Sequence, residues 1–218
     1  MTLKILLADD HQIFRDGLKA LISQSSDLEV VAQANNGREA IDLATEHNPD
    51  LAILDVTMKD LNGFEASKWI TKKMPKIKII GLSMHADARI IRDMFLAGAS
   101  GYLLKNCQFE ELTEAINLVM NNQNYLSPNI TDVTLDDLQD KALADKFSVH
   151  SILTPREREM LQLLAESNSV REIAKLCCIS IKTVETHRQH IMEKLKIKTL
   201  PGLTKYAIRA GLTSLDEK

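Results

Sequence analysis

The sequence predicts a doubly wound α/β domain on a five-stranded parallel sheet, followed by a separate small all-α domain. Over residues 1–122, five short runs that are apolar throughout alternate with amphipathic stretches. Strands buried on both faces read this way, as in a parallel sheet. The alternation is regular, and βα repeats close into such a sheet through right-handed crossovers. From residue 152 onward the apolar positions keep helical spacing only. A chain of 218 residues is long enough for two domains.

The strands are KILLAD (4–9), LEVVAQA (28–34), LAILD (51–55), KIIGLS (78–83) and GYLLK (101–105). Helical patterns lie near 12–25, 37–47, 63–73, 87–97 and 108–121. Turn chemistry separates them at Asn35-Asn36-Gly37, Asn48-Pro49-Asp50, Leu61-Asn62-Gly63 and Ala97-Gly98-Ala99-Ser100-Gly101. Residues 123–150 change character: NNQNYLSPN is loop chemistry, and the acidic tract after it is only loosely amphipathic. This segment reads as a linker with room for a short helix. The second domain, 151–218, opens on a capping box in which Thr154 caps, Pro155 takes the first helical position and Glu157 reaches back.

Hydrophobic content of 44% and charged content of 26% are those of a globular protein. No apolar run reaches the length of a membrane span, and the first is too short for a signal peptide, so a cytoplasmic protein without membrane contact is expected. Three cysteines, Cys107, Cys177 and Cys178, form neither a disulfide framework nor a zinc spacing. Cys177 and Cys178 read as small apolar side chains at a helix end. The net charge of −3 hides an asymmetry: residues 151–218 carry 12 Lys and Arg against 8 Asp and Glu, whereas the remainder is acidic. A basic back half hints at a polyanionic partner.

In open parallel sheets, function collects beyond the carboxyl ends of the strands. The first strand ends in Asp9-Asp10, the third in Asp55, the fourth in Ser83 and the fifth in Lys105. Each alone fits ordinary capping or turn polarity. Together they put three carboxylates, a hydroxyl and an ammonium on one rim. Three carboxylates ionise together only beside a counter-ion, and Mg²⁺ takes carboxylates and completes its shell with phosphoryl oxygens. Lys105 offers a charge and Ser83 a hydrogen bond to the same phosphoryl group. A carboxylate can itself accept it.

These residues, DD, D, S and K, each in order at a strand end, resemble the flavodoxin-like receiver domain of bacterial response regulators over 1–122. The resemblance implies that Asp55 is the phosphoacceptor and that a sensor histidine kinase is the donor. It implies Mg²⁺ held by Asp10, Asp55 and the Thr57 carbonyl, with Asp9 assisting. Ser83 and Lys105 would be the catalytic side chains, and Ser83 and Tyr102 the pair that shifts inward on phosphorylation. Lys59 stands where that family usually has proline, which should loosen its loop. His85 stands where family members tune the lifetime of the acyl phosphate, although a surface role suits it as well.

The string SVREIAKLCCISIKTVETHRQHIMEKL reads as helix, turn, helix, with Ser180 capping the second. On a wheel of about 100° per residue, Val184, Ile191 and Leu195 make a buried stripe. Glu185, Thr186, Gln189 and Lys182 lie opposite. Gln pairs an adenine edge, Glu accepts from cytosine and the Thr methyl meets thymine. Lys182, Thr183 and Arg188 suit phosphates. LTPREREMLQLLAE, KTVETHRQHIMEKL and YAIRAGL are similar to the LuxR-type helix-turn-helix of the NarL/FixJ group over about 150–213. That implies base reading by Glu185, Thr186 and Gln189, with Lys182, Thr183 and Arg188 on or near the backbone, and pairing on DNA through a final helix near 201–210. Ser167 stands where that group commonly has glycine, and Asn168 is expected in the left-handed position.

The resulting expectation is a non-enzymatic two-component regulator, phosphorylated on Asp55, that binds double-stranded promoter DNA as a homodimer promoted by phosphorylation. One rival is a Mg²⁺-dependent phosphatase with Asp55 as nucleophile, although Thr57 stands where its second carboxylate belongs. The other is a receiver with a protein or RNA output.

Overall fold

The structure, a computed structural model, describes residues 2–131 and 152–213. The chain divides into two compact units, Met1–Lys141 and Ala142–Lys218. The helix expected within the linker lies outside the described residues.

The first unit runs β1 (Leu3–Ala8), α1 (Gln12–Ile22), β2 (Leu28–Ala34), α2 (Gly37–His47), β3 (Leu51–Asp55), α3 (Gly63–Lys73), β4 (Lys78–Ser83), α4 (Ala88–Leu96), β5 (Gly101–Leu104), α5 (Phe109–Met120) and β6 (Tyr125–Leu126). All strand pairs are parallel, in the order β2-β1-β3-β4-β5-β6. Strand parity divides the core. Leu6, Ala8, Ala52, Leu54 and Ile79 join α2, α3 and α4 on one face. Ile5, Leu7, Ile53, Ile80 and Leu82 join α1 and α5 on the other. Both parities are apolar because helices cover both faces, which is why these strands read as continuous runs. At the outer strand β2, pairing with β1 slips by one residue, Ile5 facing Val30 and Leu6 facing Ala32.

The sheet has six strands where five were expected. The sixth comes from the segment read as linker: Tyr125 donates its N–H to the Ser100 carbonyl at 2.9 Å, and Ser127 to Tyr102 at 3.0 Å. Tyr125 and Ile130 are buried. The unpaired edge of β5 supplies the template, and two residues carry no period for a sequence to display.

The second unit comprises α6 (Pro155–Ala165), α7 (Val170–Leu176), α8 (Ile181–Leu195) and α9 (Leu200–Arg209) around a core of Met160, Leu164, Ile173, Val184, Ile191 and Leu203. Capping boxes at Thr154/Glu157 and Ser169/Glu172 start α6 and α7, and Ser180 caps α8 by accepting from the Thr183 N–H. Ser167, not Asn168, takes the left-handed conformation after α6, with φ 64°. Ser167 N–H then reaches the Leu164 carbonyl and Asn168 N–H the Leu163 carbonyl, the Schellman pattern, and the Asn168 side chain adds a bond to Leu163. α7 closes likewise with Cys178 left-handed at φ 53°. Cys177 is buried as expected, but Cys178 is exposed: the turn, not packing, decides its position. Among the described residues no helix is long and apolar enough to cross a membrane.

Candidate functional site

The strand order reverses between β1 and β3, since β1 connects outward to β2 and β3 lies on its other side. At that switch point the carboxyl ends of the two strands open a crevice. Asp9 and Asp10 follow β1 and Asp55 ends β3. Their carboxylates, together with the His11 ring, offer ligand atoms all within 4.8 Å of one another. Lys105, just past β5, bridges two of them: its Nζ is 2.8 Å from Asp9 Oδ2 and 2.9 Å from Asp55 Oδ2. The Phe14 ring lies 5.1 Å from the same ammonium.

Asp55 is fully buried, and that burial pushes its carboxyl up to about 6. The Lys105 ammonium opposes the rise, and the Asp9 charge adds to it. Burial likewise acts against the Lys105 charge, but Asp55 and Asp9 outweigh it and hold the ammonium above its ordinary value. Thr57 donates its N–H to Asp55 Oδ1 at 3.2 Å. The chain after β3 is pinned close to the site. Gly63 N–H bonds the Val56 carbonyl at 3.0 Å, and a Cβ on Gly63 would stand 2.1 Å from the Asp55 carbonyl oxygen. Any side chain there would displace the Asp55 peptide. Met58 is buried, and Leu61 N–H bonds the Lys59 carbonyl at 2.7 Å, so the loop is anchored without the fixed backbone angle of a proline at Lys59.

Ser83 ends β4, directly after Leu82, the strand partner of Asp55. It is buried, and its hydroxyl accepts the His85 N–H at 3.1 Å. Tyr102 is also fully buried, beside Met94 of α4, and donates its hydroxyl to the His85 carbonyl at 2.8 Å. Burial raises that phenol above its ordinary range. The His85 side chain itself is exposed.

On α8 the wheel corresponds to observed burial. Val184 and Ile191 are buried and Leu195 half-buried, whereas Lys182, Glu185, Thr186 and Gln189 are exposed and Arg188 half-buried. Thr186 turns its hydroxyl to the Lys182 carbonyl at 2.9 Å, and the Gln189 amide bonds Glu193 at 3.0 Å. Thr183 pairs with the Ser180 hydroxyl at 2.8 Å.

Residues 5–117 match the family described as the response regulator receiver domain, and residues 151–207 match the bacterial regulatory proteins of the luxR family. The chain is 36% identical over 215 residues to the oxygen regulatory protein NreC of Staphylococcus epidermidis, covering 96% of this chain and 99% of that one. The chain is a response regulator of the NarL/FixJ family. It is also 33% identical to the transcriptional regulatory protein DegU of Brevibacillus brevis, over 96% of this chain and 94% of the relative. A LuxR-family response regulator structure from Aurantimonas sp. SI85-9A1 superposes with TM-score 0.57 at 35% identity, over 60% of this chain and 93% of that one. This response regulator is therefore a phosphorylation-dependent transcription regulator with a receiver and a LuxR-type domain.

The receiver thus brings Asp9, Asp10, Asp55 and Lys105 into one cluster, as their strand-end positions led one to expect. Two of its neighbours were not singled out as pocket residues. His11 Nδ1 lies 3.2 Å from Asp9 Oδ1 and 3.0 Å from Asp10 Oδ1. Its place directly after the acidic pair is the local signal. Lys59 Nζ lies 3.8 Å from Asp10 Oδ2, and only the folded loop reveals that approach. In the LuxR-type domain, Lys194 Nζ bonds Glu157 Oε2 at 2.7 Å, a pairing across 37 residues with no local signature.

Proposed function

We propose that the regulator accepts a phosphoryl group on Asp55 from a cognate sensor histidine kinase. The observation that carries this reading is the Lys105 ammonium bridging Asp9 and Asp55 inside a three-carboxylate cluster. An Asp55 oxygen bonds phosphorus while the P–N bond of the donor phosphohistidine breaks, leaving an acyl phosphate and a free imidazole. The carboxylate oxygens of Asp9, Asp10 and Asp55 converge within 4.8 Å of one another, and this hard, anionic donor set fits Mg²⁺. Asp10, Asp55 and the Thr57 carbonyl would hold the ion, with Asp9 assisting. Bound there, it would neutralise the incoming phosphoryl group. Lys105 supplies a fixed charge to one phosphoryl oxygen, and the Ser83 hydroxyl a hydrogen bond to another. Recruitment of Ser83 to the phosphoryl group would alter the His85 segment that also receives the Tyr102 hydroxyl, coupling the site to α4. Phosphorylation then acts through the differential stability of two arrangements.

The output is binding of double-stranded promoter DNA by a homodimer that phosphorylation favours. The exposed stripe of α8 supports major-groove docking, with Glu185, Thr186 and Gln189 toward bases and Lys182, Thr183 and Arg188 toward phosphates. In this reading residues 1–122 are the receiver, 123–150 the linker and 151–218 the DNA-binding domain. Thr57 in place of a second carboxylate argues for a stoichiometric switch over a phosphatase, and the absence of a long apolar helix among the described residues accords with cytoplasmic action. Incubation with Mg²⁺ and acetyl phosphate tests the reading. The wild-type chain gains one base-labile phosphoryl group and binds its selected operator more tightly, whereas Asp55→Asn does neither. Equal labelling of Asp55→Asn overturns the assignment.

A further inference from the structure

The acidic pocket carries internal cations at each of its carboxylates. Lys105 neutralises Asp9 and Asp55 from within the core, only 6% exposed and at hydrogen-bonding distance from both. Asp10 is served differently: His11 Nδ1 stands at 3.0 Å from one oxygen, and the Lys59 ammonium at 3.8 Å from the other. Lys59 is 51% exposed. Its backbone is held between buried Met58 and the left-handed Asp60, with its carbonyl accepting from Leu61. The stem is therefore rooted at the pocket mouth while its charged end is free to swing.

We propose that Lys59 is a tethered counter-ion that competes with Mg²⁺ for Asp10 and so sets how much Mg²⁺ the unphosphorylated receiver requires. The proposal rests on the Mg²⁺ reading above. A divalent ion shared by Asp10 and Asp55 would sit within a few ångströms of the ammonium, and two cations at that range repel even through water. Binding must therefore displace Lys59 from Asp10. Lys105 is too deeply held to leave, and the half-exposed Lys59, with no hydrogen bond to Asp10, is the cation that yields. Once phosphate arrives, the pocket gains negative charge, and the same flexible ammonium can turn to it. Lys59 thus penalises the metal in the resting state and loses that effect after phosphorylation.

Mg²⁺ titration of the full unphosphorylated chain by calorimetry at neutral pH tests this. Lys59→Met should bind Mg²⁺ about three- to tenfold more tightly than wild type, with the gap narrowing as NaCl is raised. Lys59→Arg, which keeps the charge, should titrate like wild type, and Asp10→Asn should lose binding. An unchanged dissociation constant in Lys59→Met overturns the proposal while leaving the Mg²⁺ site intact. So does a Lys59→Arg chain that tightens as much as Lys59→Met, because loop shape rather than charge would then be responsible. Absence of Mg²⁺ binding in both wild type and Lys59→Met would remove the metal reading together with the inference.

Discussion

Glu157 shows how one side chain can serve two levels of structure. Its Oε2 accepts from the Thr154 N–H at 2.8 Å and hydroxyl at 2.9 Å, closing the cap of α6, and from Lys194 of α8 at 2.7 Å. Burial works to raise its carboxyl, but Lys194 and the Thr154 donors prevail and hold it at about 2. A carboxylate depressed in the folded state contributes stability that is present above its unfolded value near 4.5 and is lost as pH falls toward 2. With Lys194 partly solvated, the contribution is on the order of 1–3 kcal/mol. Glu157→Gln should therefore lower the urea midpoint of the 152–213 unit at pH 7, and the two curves should converge near pH 2. A gap that persists at pH 2 would rule out the charge. The capping half of this arrangement was legible, because Thr154-Pro155-Arg156-Glu157 is a local pattern. The Lys194 half was not, since its spacing depends on how α6 and α8 meet.

The helix ends show the same division between local pattern and tertiary outcome. α6, α7 and α8 each finish with a non-glycine residue at positive φ: Ser167 at 64°, Cys178 at 53° and Lys196 at 56°. In the second unit α9 alone finishes on glycine, Gly211 at 67°. A left-handed L-residue costs about 1–2 kcal/mol. Ser167→Gly should relieve part of that and stabilise by about 1 kcal/mol, raising the melting temperature of this small unit by several degrees. A loss of stability would show that the Ser167 side chain supplies more than its backbone costs. Asn168 attracts notice in the sequence because asparagine favours this conformation. Its side chain is instead spent on the Leu163 carbonyl, and the helix closes one residue earlier. The strands of the receiver were easier to read, because double-sided burial writes itself as an apolar run. β6 was not, because its pairing is dictated by β5 and its own two residues carry no pattern.

At the scale of the molecule, each unit has its own core, and the residues that finish the first extend beyond the 1–122 stretch that resembles a receiver. Tyr125 and Ile130 bury their side chains there, worth about 3 kcal/mol or more together. A fragment ending at 131 should melt about 10 °C above one ending at 122, measured by circular dichroism. Equal melting temperatures would show that β6 adds nothing to the sheet. The acidic site was legible at this scale for a topological reason: strand ends are countable along a chain, and a parallel sheet gathers them on one rim.

β6 has a second effect, away from thermal stability. It occupies the margin of β5 at Gly101 and Tyr102, while the opposite margin, β2, carries a slipped register and the exposed Glu29. Neither border offers a straight ladder for a neighbouring copy to extend. A second receiver would have to meet this one through side chains, since neither border of the sheet lends it a backbone ladder.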